Sequence, residues 1–258
     1  MKKFTVLIID SDVEPIYKVG RDIWRANAEK YRVDIFFLRT SNEIEDDSTV
    51  ISDDVIYSKH IDNIEDRLID KTLKGFKHVL KTTDHHYILR ANLSSFFDIG
   101  LLKNFIAELP RQNVYSGAIE QIELEMPDKV RRIINFCSGS GFLLSRDIAS
   151  LVLERDKFCP HTFPDDVWMG LVLIDVNRIE FKRCNLTDVK QIDVATLIKI
   201  NAKIRESQAS NFFQYRIKNS GNLPREDLDM LAWTALVQHF SLNGQIISTN
   251  ESPNSLEN

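Results

Sequence analysis

Cysteine is scarce in this chain, and the three present, Cys137, Cys159 and Cys184, show no Cys-x-x-Cys spacing. Neither a zinc site nor a disulfide framework is suggested, so reduced, buried thiols are the expectation. An excess of positive charge is missing too: 33 Lys and Arg face 38 Asp and Glu, a formal net charge of −5, which argues against a general nucleic-acid surface. No apolar run is long enough to span a bilayer, and Met1-Lys2-Lys3 leads into a short strand rather than a signal peptide. A cytoplasmic protein without a transmembrane segment is therefore expected. Glycine is thin as well. Residues 10–20, after the first apolar run, hold a single glycine, which counts against the Gly-rich, Lys-containing loop of a nucleotidyltransferase.

What is present is a chain of 258 residues, 43% hydrophobic, enough for one large α/β domain or two small ones. Residues 4–9 read as a buried parallel strand, 14–32 as a helix with Ile16, Val19, Gly20, Ile23 and Trp24 on one stripe, and 33–38 as a second buried strand. Trp24 belongs to the core on this reading. Ligands of open α/β sheets sit beyond the C-terminal ends of the strands, which makes Asp10 and Arg39 candidates for a nucleoside pocket, with solvated loop residues as the alternative. Acids after a first strand also occur in phospho-accepting receiver domains, but the third strand, residues 54–57, carries no aspartate where one is needed. Residues 43–54 read as an acidic, turn-like connection. Residues 61–81 form a strong helix whose lysines, at 71, 74, 77 and 81, make a mostly solvated face from which Lys71 or Lys74 could reach a phosphate.

Residues 99–109 read as a helix, 114–119 as a strand, 120–132 as a charged excursion, and 171–177 as the end of another helix. Residues 179–184 read as a strand, 192–204 as a helix, and 211–219 as a late strand with Tyr215 and Ile217 on one face and Arg216 and Lys218 on the other. Residues 224–240 are a closing amphipathic helix. The expected organisation is one domain over 1–240 and an Asn- and Ser-rich tail, 241–258, that is frayed.

The centre of the sequence is residues 135–170. Gly139 and Gly141 stand at an expected tight turn inside Ser138-Gly139-Ser140-Gly141-Phe142-Leu143-Leu144-Ser145, where glycine permits positive φ or a close approach. Ser145 is a candidate N-cap for the helix that follows, and Asp165 and Asp166 stand together after Pro164, a place for a general base or for a helix cap. In this order, the two segments resemble the β-1,3-glycosyltransferases of the galactosyltransferase and Fringe type. There a Ser-Gly-x-Gly-Tyr-x-Leu-Ser segment lines the sugars and a Glu/Asp-Asp-Val-x-x-Gly segment carries the base. Phe142 replaces the tyrosine, and Asp165-Asp166-Val167-Trp168-Met169-Gly170 matches the second segment. Looser likenesses are Arg67-Leu68-Ile69-Asp70-Lys71-Thr72 to the family's Leu-Thr-x-Lys-Thr helix and Tyr115-Ser116-Gly117 to its Tyr-x-Gly strand.

The resemblance implies a single GT-A-type, Rossmann-like α/β domain with a mostly parallel central sheet. It implies an inverting transfer of sugar from a nucleotide-diphosphate donor to a glycan or glycolipid acceptor, as in surface polysaccharide synthesis. Asp166, with Asp165 beside it, would be the base, and Ser138, Gly139, Ser140, Gly141 and Trp168 would line the acceptor sugar. The chain departs from the family where an Asp-x-Asp cluster should grip a divalent metal and Arg90-Ala91-Asn92-Leu93-Ser94 stands instead. Arginine repels a cation, and asparagine and serine offer single neutral oxygens. No metal would then be required, and any Mn²⁺ or Mg²⁺ would be held mainly by the donor diphosphate. Arg90, Asn92, Arg216 and Lys218 are expected on the diphosphate with Asp10, Arg39 and Lys71. Asp84, His85 and His86 read as structural, since neighbours on a strand point to opposite faces. The alternative is an inactive nucleotide-sugar or glycan-binding module; peripheral membrane contact fits either reading.

Overall fold

The computed structural model describes residues 2–11, 14–125, 129–187, 194–217 and 225–242. The chain opens with β1 (Phe4–Ile9), α1 (Ile16–Tyr31) and β2 (Asp34–Ser41); β3 (Thr49–Ser52) and β4 (Val55–Lys59) form a hairpin, and α2 (Ile64–Thr82) leads to β5 (Tyr87–Asn92). A short β6 (Ser95–Phe97) and α3 (Ile99–Glu108) precede two long strands, β7 (Tyr115–Glu125) and β8 (Arg131–Ser145). Then come α4 (Arg146–Arg155), a 3₁₀ turn (Asp156–Phe158), α5 (Asp165–Val172), β9 (Arg178–Glu180), β10 (Arg183–Asn185), α6 (Val194–Ala209), β11 (Gln214–Arg216) and α7 (Arg225–His239).

Eight strands form one sheet in the order β3-β4-β2-β1-β5-β8-β7-β9, and β10-β11-β6 form a small second sheet. Strands β4, β2, β1 and β5 are mutually parallel, and β8 runs antiparallel to β5. The continuous apolar run of β1 follows from burial on both faces. Val6 and Ile8 join one core with Trp24 of α1 and the inner faces of α3, α6 and α7, while Leu7 joins the other with α2, α4 and α5. Trp24 is fully buried and donates its indole N–H to Ser95 O at 2.9 Å.

Local chemistry fixes the helix ends on both edges of the sheet. α1 stops at Arg32, whose left-handed backbone (φ 52°) lets its N–H close on Ala28 O and Glu29 O. α2 starts at Asn63, whose side chain accepts from the N–H groups of Glu65 and Asp66, and those two acids complement the positive end of the helix dipole.

Four expectations change. β3 lies in the segment read as a turn-like connection; all its residues are exposed, so an edge hairpin strand left no burial pattern in the sequence. The charged excursion at 120–132 is largely the extension of β7 and the start of β8, paired from Ile119↔Cys137 to Glu125↔Arg131. The strand expected at 179–184 is divided between β9 and β10, which lie in different sheets. α5 begins at Asp165 and ends at Val172, so 173–177 lies beyond it. The tail from residue 243 onward lies outside the described residues.

Candidate active site

Beyond the C-terminal ends of β1 and β5 lies a cleft of about 360 Å³, lined by Asp10, Ser11, Arg67, Lys71, Asn92 and Arg216 among others. This is the edge at which open α/β sheets take ligands. Asp10 is 1% exposed and its carboxylate is already engaged: Oδ1 accepts from Ser11 N–H (2.7 Å) and Arg21 Nη1 (2.9 Å), and Oδ2 accepts from Arg39 Nε. Asp10 and Arg39 are thus joined to each other, and Asp10 lines the cleft. Lys71 donates to Asp10 O at 2.8 Å. The solvated lysine face expected on α2 does not include Lys71 or Lys74, both buried because α2 packs against the strand ends at this edge. Lys74 Nζ lies 3.1 Å from Asp70 Oδ2. Burial lowers the Lys71 pKa to about 8; Asp10 opposes that shift, and the nearby Arg67, Arg39 and Arg90 add to it.

Residues 138–141 do not make a tight turn. They are a bulge inside β8: Gly117↔Phe142 and Ile119↔Cys137 are pairs, so one residue of β7 faces four of β8. Bulges re-aim side chains beside sites, and this one needs small residues for close approach, not for positive φ. A Cβ on Gly141 would sit 2.5 Å from Phe97 Cζ, and one on Gly139 would sit 3.1 Å from Asp166 Oδ2. The hydroxyls of Ser138 and Ser140 are buried and accept from Arg183 Nη1 at 2.7 and 3.0 Å; Gln214 Nε2 also donates to Ser140 Oγ at 3.0 Å. These serines, expected as lining for an acceptor sugar, thus tie β8 to the small sheet through Arg183 of β10 and Gln214 of β11.

The bulge meets the acidic pair at the start of α5. Asp166 Oδ2 accepts from Gly139 N–H at 2.8 Å and Oδ1 from Val167 N–H at 2.9 Å. Asp165 pairs with Arg90, which is 2% exposed, sends Nη1 to Gly139 O at 2.7 Å and lies 5.4 Å from the Phe142 ring centroid. Burial raises the Asp165 pKa; Arg90 opposes the rise, and Asp166 adds to it. Arg90 was expected on a diphosphate. Its two terminal nitrogens are instead directed at Asp165 and Gly139, so it bolts β5 to the bulge and to α5. Trp168, expected against a sugar, is fully buried in the core with its N–H on Cys159 O, 3.0 Å away, because it faces inward from α5.

Asn92 joins the two halves. Its Nδ2 donates to Gly139 O (3.1 Å), and its Oδ1 accepts from Arg216 Nη1 (2.7 Å), which also reaches Ser94 Oγ (2.9 Å). Ser94 and Ser95 hydroxyls donate to the same Oδ1. A divalent cation does not fit these residues: the available oxygen is neutral, already accepts from two hydroxyls, and also accepts from the Arg216 guanidinium. Among the described residues there is no group of three or more His, Cys, Asp or Glu that could hold a metal ion. His85 Nδ1 meets Thr5 Oγ1 at 2.7 Å. Lys218 lies outside the described residues. Arg183 and Gln214 had no sequence signal, since each acts through partners far away in the chain; Arg21 and Arg67 bond within about a dozen residues, to Asp10 and Ser11 and to Ile61 and Asp62, in loops whose shape periodicity does not report.

No family model and no curated protein matches the sequence. Among solved structures, a glycosyltransferase involved in the glycosylation of the major capsid of PBCV-1 superposes with a TM-score of 0.52 at 11% identity, covering 90% of this chain and 99% of that one. The chain shares the overall fold of that protein. Two others match at TM-scores of 0.38 and 0.37: 4-diphosphocytidyl-2C-methyl-D-erythritol synthase from Anaerococcus prevotii (11% identity, 79% of this chain and 96% of that) and the bifunctional IspDF of Campylobacter jejuni (8%, 70% and 50%).

Proposed function

We propose that this chain is an inverting glycosyltransferase of the galactosyltransferase and Fringe type, moving a sugar from a nucleotide-diphosphate donor to an acceptor hydroxyl. One observation carries the reading: the run Arg216–Asn92–Gly139–Asp166 connects a cation-lined cleft at the sheet edge to a carboxylate of an adjacent acidic pair. A donor diphosphate in the cleft lies beside Lys71, Arg67 and Arg216, and the bulge carries its sugar toward Asp166.

In this mechanism the acceptor O–H gives its proton to Asp166 as its oxygen attacks the anomeric carbon from the side opposite the leaving group. The anomeric C–O bond breaks, and the nucleoside diphosphate leaves with the electron pair. Two backbone N–H groups fix Asp166 while leaving lone pairs on both oxygens for the incoming hydroxyl. Arg216 and Lys71 stabilise the departing charge. No divalent cation is assigned a step. The acceptor is a glycan or glycolipid of a surface assembly, and the work is done in the cytoplasm. Among the described residues no helix is long and apolar enough to cross a membrane.

A second reading has an observation of its own: both Asp166 oxygens already accept N–H groups, as a purely structural cap would. On that reading the chain binds a nucleotide sugar or glycan without turning it over. Incubation with uridine, guanosine, thymidine and cytidine diphosphate sugars, with and without EDTA, separates the two. Turnover of at least one donor that persists in EDTA is expected; binding without turnover selects the second reading, and no binding of any nucleotide removes both.

A further inference from the structure

A second cavity, of about 1000 Å³, lies against the last turn of α5, with Phe158, Phe163, Leu171 and Ile174 on its walls. Its size is at the upper end of small-molecule pockets. Two of these side chains are markedly exposed, Phe158 at 76% and Ile174 at 53%, which is unusual for large apolar groups that share one groove. The charged lining is Lys129, Arg132 and Arg155 against Glu125; Arg155 is paired with Asp175, Nη2 to Oδ2 at 2.9 Å, so Lys129 and Arg132 supply the excess positive charge at the mouth. Lys157 adds a charge, with Nζ 4.9 Å above the Phe158 ring.

Apolar walls under a cationic mouth fit neither a bare glycan, which needs convergent hydrogen-bonding groups, nor a nucleotide, which would leave the walls wet. They fit an amphiphile with an aliphatic chain and an anionic head. The groove is joined to the acidic pair along the chain. Its wall, Cys159, Pro160, Thr162 and Phe163, is the segment that leads into Pro164 and Asp165, and Leu171 and Val172 are the last turn of the helix that begins with Asp165. Asp165 and Val172 are seven residues apart, close to two helical turns, or about 10 Å.

We infer that this groove binds the aliphatic chain of an anionic, lipid-linked acceptor, with the phosphate-bearing head at the cationic mouth. The assignment of the bound amphiphile as acceptor rests on the transferase reading; the binding itself does not. A chain held here tethers the acceptor beside the helix that carries the base, so the hydroxyl is presented at high effective concentration.

The test measures binding alone, by calorimetry on the full chain with dodecyl phosphate below its critical micelle concentration. Dodecyl maltoside supplies the same chain on a neutral head, and inorganic phosphate the head without the chain. Dodecyl phosphate should bind, the maltoside at least about tenfold more weakly, and phosphate undetectably. Ile174→Asp places a like charge among the apolar walls at an exposed position, and Phe158→Ser removes the largest wall. Each should weaken dodecyl phosphate at least about tenfold, the worth of one buried apolar side chain, while nucleoside diphosphate binding is unchanged. No heat with dodecyl phosphate, equal affinity in Ile174→Asp, or a concentration-dependent dimer that Ile174→Asp dissolves would each overturn the inference. The last result would make the groove a contact between copies of the chain. Loss of nucleotide binding by the unmutated protein would count against the transferase reading alone.

Discussion

Replacing Arg90 by methionine distinguishes a bolt from a phosphate ligand. Arg90 is 2% exposed, and its partner Asp165 has a side chain 13% exposed, so the substitution leaves a carboxylate in the interior with no counter-charge. Breaking a buried pair in this way costs about 3–5 kcal/mol. The lost bond to Gly139 O adds little, because Asn92 still donates to that oxygen. For a domain of this size the loss corresponds to a fall in Tm of about 6–20 °C. Urea unfolding at pH 7 reads the stability, and calorimetry with nucleoside diphosphates reads binding on the folded fraction. Arg90→Met/Asp165→Leu should recover much of the loss, since the uncompensated charge is then gone. A single variant that stays within 1 kcal/mol of the parent but no longer binds nucleotide would refute this account and return Arg90 to the diphosphate.

Nucleoside diphosphate affinity should fall as the pH rises through about 8, because Lys71 is charged below its lowered pKa of about 8 and neutral above it. Binding near pH 8 should take up a proton, visible as a dependence of the calorimetric heat on the buffer's ionisation enthalpy; a flat affinity between pH 7 and 9.5 would remove Lys71 from the site. Gly141→Ala should cost about 1–3 kcal/mol, as its Cβ meets the fully buried Phe97 ring at 2.5 Å, and should lower the urea midpoint without changing the m-value. Gly139→Ala should behave differently, displacing the Asp166 carboxylate 3.1 Å from the new Cβ, so transfer drops while stability changes little; equal stability losses in the two variants would contradict the distinct roles given to these glycines.

The parallel half of the fold was readable because a strand buried on both faces is a continuous apolar run, as in β1, and because α1 and α2 carry helical apolar stripes. β3 was not, since an exposed edge strand has no inward face to mark. The acidic pair at a helix start was legible from Pro164-Asp165-Asp166, but its partner was not: Arg90 is 75 residues away, and nothing local in either segment points to the other. Lys71 and Lys74, singled out from a mostly solvated lysine face as able to reach a phosphate, are buried because α2 packs at the sheet edge, where Lys71 meets the Asp10 carbonyl; periodicity alone does not report that burial. The Ser-Gly-Ser-Gly segment was recognised as special for its glycines. That it is a bulge became visible only from the register of β7 against β8.

The central claim is that Asp166 takes a proton from an acceptor hydroxyl. Its most direct test is the single-turnover rate of sugar transfer by Asp166→Asn, with the donor that the panel identifies, at a nucleotide concentration that saturates both enzymes. Asparagine preserves the size of the side chain and one acceptor oxygen, so the fold and nucleotide binding should persist, while removal of the base should slow transfer by about 10²–10⁴-fold. Transfer at the parent rate, with unchanged nucleotide affinity, would contradict the account.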